Sequence, residues 1–182
     1  MVLDTNLVGR RAGSMHEVSR QIEAPDEFGT DVIAVAPGDP LEVEVRMESV
    51  VEGVLVTGSV RATATGACVR CLDPVTQAVD GNFQELFAYA DRHAHHREVG
   101  DEDADQEHLV EDGLIDLESL LRDTVVPALP FQPVCRPDCL GLCSECGQPL
   151  TEDPEHHHDV IDPRWASLSA LAEQPAETER RT

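Results

Sequence analysis

The chain has 182 residues, with 36 acidic residues against 13 basic ones, a formal net charge of −23, and no lysine, so every basic residue is arginine. That length supports one ordinary domain with a small appended module. The charge excludes a broad phosphate-gripping face unless the arginines gather in one place.

Residues 1–30 mix polar and apolar positions without a clean period, and read as an N-terminal arm or a first strand. LVGRRAGSMHEVSRQIEAP carries Arg10, Arg11 and Arg20, the densest basic patch, which makes Arg10 and Arg11 candidate partner or RNA contacts. The opening MVLDTNLVGRRAGSM has no apolar stretch of signal-peptide length, and no run approaches the ~18 apolar residues that span a bilayer. The chain therefore reads as cytoplasmic and without membrane contact. In that compartment thiols stay reduced, and clustered cysteines favour metal over disulfides.

Residues 31–130 read as an α+β core. In LEVEVRMESV, Leu41, Val43, Val45 and Met47 alternate with charged or polar residues, the period of a half-buried strand. Glu52 and Gly53 mark a turn, and the β-branched run VLVTGSVRATATG follows. Cys68, Cys71 and then Asp73-Pro74 break the pattern, and VTQAVDGNFQELFAYA offers one or two further strands. Strands joined by short turns predict an antiparallel meander. Ten acidic residues and no arginine lie between Glu98 and Glu118, so residues 92–112 read as a mobile acidic loop. Leu114, Leu117, Leu120 or Leu121, and Val125 then recur at helical spacing, with Asp116 as the expected N-cap and Pro127 and Pro130 as the stop. This helix is expected to lie on the sheet.

Residues 131–161 read as a cysteine- and histidine-rich zinc module, 162–172 as a short helix opened by Asp162-Pro163, and 173–182 as a disordered tail. In PVCRPDCLGLCSECGQPL, the thiols of Cys135, Cys139, Cys143 and Cys146 are close enough in sequence to converge on one tetrahedral Zn2+ with little loop-closure entropy. Gly147 follows the tightest pair, where a knuckle turn calls for positive φ. That local set of four is the favoured ligand set. A second arrangement also satisfies the ligand rules: Cys68 and Cys71 pair with Cys135 and Cys139, leaving Cys143 and Cys146 to bind with two of His156, His157 and His158.

Two enzymatic readings compete with a structural site. Cys68-Val69-Arg70-Cys71 has the spacing of a thiol oxidoreductase, with Arg70 favouring a thiolate, yet it sits in meander sequence rather than at a helix start after a strand. The histidine run with Glu155 and Asp159 has the parts of a zinc hydrolase but lacks the HExxH spacing, and adjacent histidines cannot all face one ion. No phosphate-binding glycine loop or aromatic stacking platform is present, so no small-molecule substrate is expected.

GSM near residue 13, EGVLVTGSV, CVRCLDPV, ELFAY and ALPFQPVC followed by CLGLCSECG together resemble the YceD-type large ribosomal RNA subunit accumulation proteins, over about residues 10–172. Cys68, Arg70 and Cys71 match that family's CxRC, and Cys135, Cys139, Cys143 and Cys146 match the cysteine-rich tail of some branches. Many of those branches close the tail with further cysteines, where this chain has HHHDVIDPRW. The resemblance implies a non-enzymatic ribosome-biogenesis factor that supports large-subunit rRNA accumulation and large-subunit assembly. With this acidity, the expected partner is a basic large-subunit ribosomal protein or assembly factor. Ribosomal RNA would be touched weakly or indirectly, through Arg10, Arg11 or Arg70. The resulting expectation is an α+β fold: a twisted antiparallel meander, a packed helix, and a small metal-binding tail with a structural zinc.

Overall fold

The alternation of apolar and charged residues becomes a sheet with one buried face. The computed structural model describes residues 1–93, 108–153, 155–158 and 164. Its strands are β1 (Val2–Asp4), β2 (Met15–Glu23), β3 (Ile33–Ala34), β4 (Pro40–Ser49), β5 (Gly53–Ala67), β6 (Pro74–Ala88), β7 (His108–Leu109) and β8 (Leu114–Asp116), followed by helix α1 (Glu118–Val125). The described structure is thus mostly β-sheet with one short helix packed on it, consistent with an α+β class. No helix among the described residues is long and apolar enough to cross a membrane.

The main sheet runs β2-β4-β5-β6-β7, with β3 also paired to β5. All its pairs are antiparallel except β6 with β7. The expected meander is β4-β5-β6. The first thirty residues form strands: β2 takes the outer edge of β4, and β1 pairs with β8 in a separate two-stranded ladder. The stretch after Pro74 is one 15-residue strand, with Pro74 at its first position, where a missing N–H is tolerated.

Leu41, Val43, Val45 and Met47 of β4 are buried as their alternation predicts, beside Val54, Val56, Val60, Ala62 and Ala64 of β5 and Val79, Phe83 and Phe87 of β6. Leu117, Leu120, Leu121 and Val125 close this face. The helix can come close because β6 has glycine beneath it: a Cβ at Gly81 would lie 2.5 Å from Thr124 Cγ2. Leu114 departs from the expected stripe. It is exposed in β8, because the chain is still extended and paired with β1 until Asp116. Asp116 accordingly lies one residue outside the N-cap, which is Leu117, although its carboxylate still accepts the Glu118 N–H at 3.1 Å.

β5 and β6 pair along their whole length, from Gly53↔Ala88 to Ala67↔Pro74, and so carry a six-residue tip, Cys68–Asp73, to one end of the sheet. The chain divides into two compact units, Met1–Cys139 and Leu140–Thr182. This cut runs through the expected 131–161 module and puts Cys135 and Cys139 with the sheet. Residues 94–107 of the expected acidic loop, the expected helix at 162–172 (apart from Arg164) and the 173–182 tail lie outside the described residues.

Candidate metal centre

In the sheet unit, the hairpin tip closes through Cys68 N–H donating to the Asp73 carbonyl at 2.8 Å and Leu72 N–H donating to the Cys68 carbonyl at 2.9 Å. The second bond requires Leu72 to adopt φ +64°, a left-handed conformation uncommon for leucine. This knuckle turns both tip thiols the same way. Val69 N–H donates to the Pro133 carbonyl at 2.9 Å and so draws the 133–139 segment alongside. Cys68 Sγ then lies 3.9 Å from Cys139 Sγ, and Cys71 Sγ lies 3.5 Å from Cys135 Sγ. All four sulfurs are within 4.8 Å of one another. Zn–S bonds of ~2.3 Å in a tetrahedron place sulfurs ~3.8 Å apart, so the spacing suits a four-thiolate ion site.

The electrostatics favour one thiolate before any metal arrives. Burial opposes a charge on Cys68, but backbone N–H groups of Cys135, Cys71 and Arg70 aimed at its sulfur outweigh it, lowering its thiol from 9 to about 6. At Cys71 the Asp73 N–H pulls down, while burial and the neighbouring Cys68, Asp73 carboxylate and Cys135 push well up. A cluster that begins with one thiolate and several protonated neighbours releases protons as a cation binds.

The Leu140–Thr182 unit holds a second group: Cys143, Cys146, His156 and His158, whose donor atoms also lie within 4.8 Å of one another. Its knuckle repeats the first. Gly147 N–H donates to the Cys143 carbonyl at 2.9 Å, and Gly147 has φ +74°. Backbone N–H groups of Cys146 and Glu145 lower the Cys143 thiol. Cys146 Sγ is 3.2 Å from His156 Nε2, which is 2.9 Å from His158 Nε2. His157 turns away, its Nδ1 3.0 Å from the Glu155 carbonyl oxygen. Alternate residues of an extended run face one side, so His156 and His158 join the cysteine pair and His157 does not, in keeping with the expectation that adjacent histidines cannot all face one ion.

The grouping is therefore not the favoured local four. Cys135 and Cys139 meet Cys68 and Cys71, Cys143 and Cys146 meet two histidines, and this is the second of the two arrangements open in the sequence. The physical reason is the long β5–β6 ladder, which brings residues over sixty positions apart to one place and satisfies the donors in pairs without straining a twelve-residue loop.

Arg70 donates to the Cys139 carbonyl at 2.9 Å and reaches the Pro137 carbonyl at 3.5 Å, strapping the tip to the loop that carries the other two thiols. Arg10 lies over the Tyr89 ring, 4.4 Å from its centroid, and Arg11 is exposed in the turn before β2. A leucine carries no sequence signal for positive φ, so the role of Leu72 becomes plain only in the structure. Its position directly after a CxxC pair, the same as that of Gly147, is the one sequence cue to it.

A family model described as Large ribosomal RNA subunit accumulation protein YceD matches residues 56–172. The chain belongs to this family. The matched span contains all eight donors of the two groups. The chain is also 44% identical over 182 residues to uncharacterized proteins of Mycobacterium tuberculosis and Mycobacterium bovis, covering 99% of this chain and 85% of each relative. It is 40% identical over 171 residues to an uncharacterized protein of Mycobacterium leprae, covering 94% of this chain and 77% of the relative. No solved structure matches. The family description ties this chain to accumulation of large-subunit ribosomal RNA.

Proposed function

We propose that this chain is a non-enzymatic accessory factor of large-subunit assembly in the cytoplasm, stapled by two structural zinc ions, which supports rRNA accumulation by binding a basic ribosomal or assembly protein. The observation that carries the reading is the donor count. Each group offers four protein ligands, Cys68, Cys71, Cys135 and Cys139 in one and Cys143, Cys146, His156 and His158 in the other. Four donors saturate a tetrahedral zinc, whereas a catalytic zinc keeps a position open for water. When bound, one ion would cross-link the hairpin tip to Cys135 and Cys139, the other would tie Cys143 and Cys146 to His156 and His158, and the residues would supply complete coordination. The thiol-exchange alternative meets a wholly buried Cys68 sulfur, poorly placed to attack an incoming disulfide. An acidic chain favours a basic protein partner over bare RNA.

Two measurements test this. Protein purified without added metal should carry two equivalents of zinc with no exchangeable water ligand. Depletion of the protein in cells should lower mature large-subunit rRNA relative to small-subunit rRNA, and the Cys68→Ser variant should fail to restore it. Zinc below one equivalent, or an unchanged rRNA ratio on depletion, overturns the reading.

A further inference from the structure

We propose that the tip of the β5–β6 hairpin is the surface on which the basic protein partner docks, by burying an apolar anchor in the cleft beside Leu72. This rests on the accessory-factor reading and adds a location and a recognition chemistry to it.

The first observation is Leu72 itself. Its knuckle turn demands a left-handed residue, and the equivalent turn at Cys143–Gly147 uses glycine. Leucine pays a backbone penalty there and recovers little by packing, because the residue is 68% exposed. Strain kept at an exposed position with little packing return points to a functional constraint.

The second observation is what surrounds it. Val69 (41% exposed) shares the tip, and Val32 (39% exposed) stands on the segment joined to β5 by the Ala67 N–H to Val32 carbonyl bond. Phe131 is 89% exposed two residues before Pro133, whose carbonyl Val69 binds. An open cleft of about 360 Å³, lined mainly by apolar surface, lies between Val32, Ala34, Ala67, Val69 and Leu72. Single exposed apolar residues are ordinary on a protein surface, but Val32, Val69 and Leu72 line one cleft, and Phe131 stands on the segment that Val69 holds.

The third observation selects the occupant. Asp31 lines the cleft and Asp73 ends the tip, while the guanidiniums of Arg70 and Arg136 are engaged within the tip and its neighbouring loop, Arg70 on carbonyl oxygens and Arg136 on Asp138. A divalent ion held by four thiolates would leave the adjoining centre net anionic. This setting repels a second copy of a chain of charge −23 as well as RNA phosphates, and attracts an apolar side chain flanked by lysine or arginine.

The test uses the full zinc-loaded chain, titrated at physiological salt against individually purified basic large-subunit ribosomal proteins, against itself, and against large-subunit rRNA fragments. Leu72→Gly removes the side chain while easing the backbone, and Phe131→Ala removes the aromatic. Val51→Ala, an exposed apolar residue at the opposite end of β5, is the control. At least one protein should bind the parent chain, with Leu72→Gly and Phe131→Ala each weakening it ~10-fold or more while Val51→Ala leaves it unchanged. All variants should keep both zinc equivalents and the parent melting temperature. Binding of a basic protein unaffected by either tip variant overturns the location and leaves the accessory-factor reading standing. Binding of no protein in the set overturns both. Self-association or rRNA binding abolished by Leu72→Gly shows that the tip serves a different partner and overturns this proposal.

Discussion

Leu72 and Gly147 occupy the same place in two different knuckles. Each follows the second cysteine of a CxxC pair, each has positive φ, and each donates its N–H at 2.9 Å to the carbonyl of the first cysteine. Only one of them is a residue for which this backbone is relaxed.

Substitutions at these positions should therefore rank by backbone tolerance. Leu72→Gly should be within ~1 kcal/mol of the parent, since relief of left-handed strain offsets added unfolded-state freedom. Leu72→Val and Gly147→Val should each cost about 1–2 kcal/mol and loosen the adjoining donors, because β-branched residues resist positive φ most. Chemical denaturation of the three variants, with zinc stoichiometry measured in parallel, checks the order.

The three consecutive histidines should behave unequally. His156→Ala and His158→Ala should each remove one equivalent of zinc, and His157→Ala should keep both, since only the outer two direct Nε2 at the cysteine pair. Cys139→Ser should remove the other equivalent independently, and the double variant Cys139→Ser with His158→Ala should remove both. Metal analysis of purified variants reads this directly.

Chelation should leave the sheet folded, because its core of Leu41, Val43, Val56, Phe83 and Phe87 is separate from the thiols. In the stripped protein Cys68 should show one step of thiolate ultraviolet absorbance near pH 6, absent in Cys68→Ser. Its folded value lies below the unfolded 9, so the stabilisation from this thiolate is fully present above about pH 9 and is lost as pH falls through about 6. Thermal midpoints of stripped parent and Cys68→Ser should converge below pH 6.

Gly81 sets the approach of α1 to the sheet. Gly81→Ala should destabilise by about 1–3 kcal/mol, since its new methyl meets the Thr124 methyl. Thr124→Ser, which deletes that methyl and keeps the hydroxyl able to donate to the Leu120 carbonyl, should recover most of the loss in the double variant. A double-mutant cycle in denaturant reveals the coupling.

Much of this was legible in order along the chain. The alternation Leu41, Val43, Val45, Met47 names both the strand and its buried face, because strand side chains alternate whatever the partner strand is. The Leu117, Leu120, Leu121 and Val125 stripe names the face of α1 in the same way. Leu114 misled because a helical period can extend by chance into a neighbouring strand, and only pairing with β1 shows where the helix begins.

The donor atoms themselves, and the chemistry they invite, follow from residue type alone: six thiols, the three consecutive histidines His156, His157 and His158, and glycine ready for one of the turns. Which donors meet does not. Loop-closure entropy favours near neighbours, and on that ground the four cysteines from Cys135 to Cys146 belong together. The β5–β6 ladder removes that cost beforehand by delivering Cys68 and Cys71 to the sheet end where Val69 holds Pro133. Once a sheet has brought distant residues together, separation along the chain no longer ranks ligands, and pairing of the donors becomes a property of the fold.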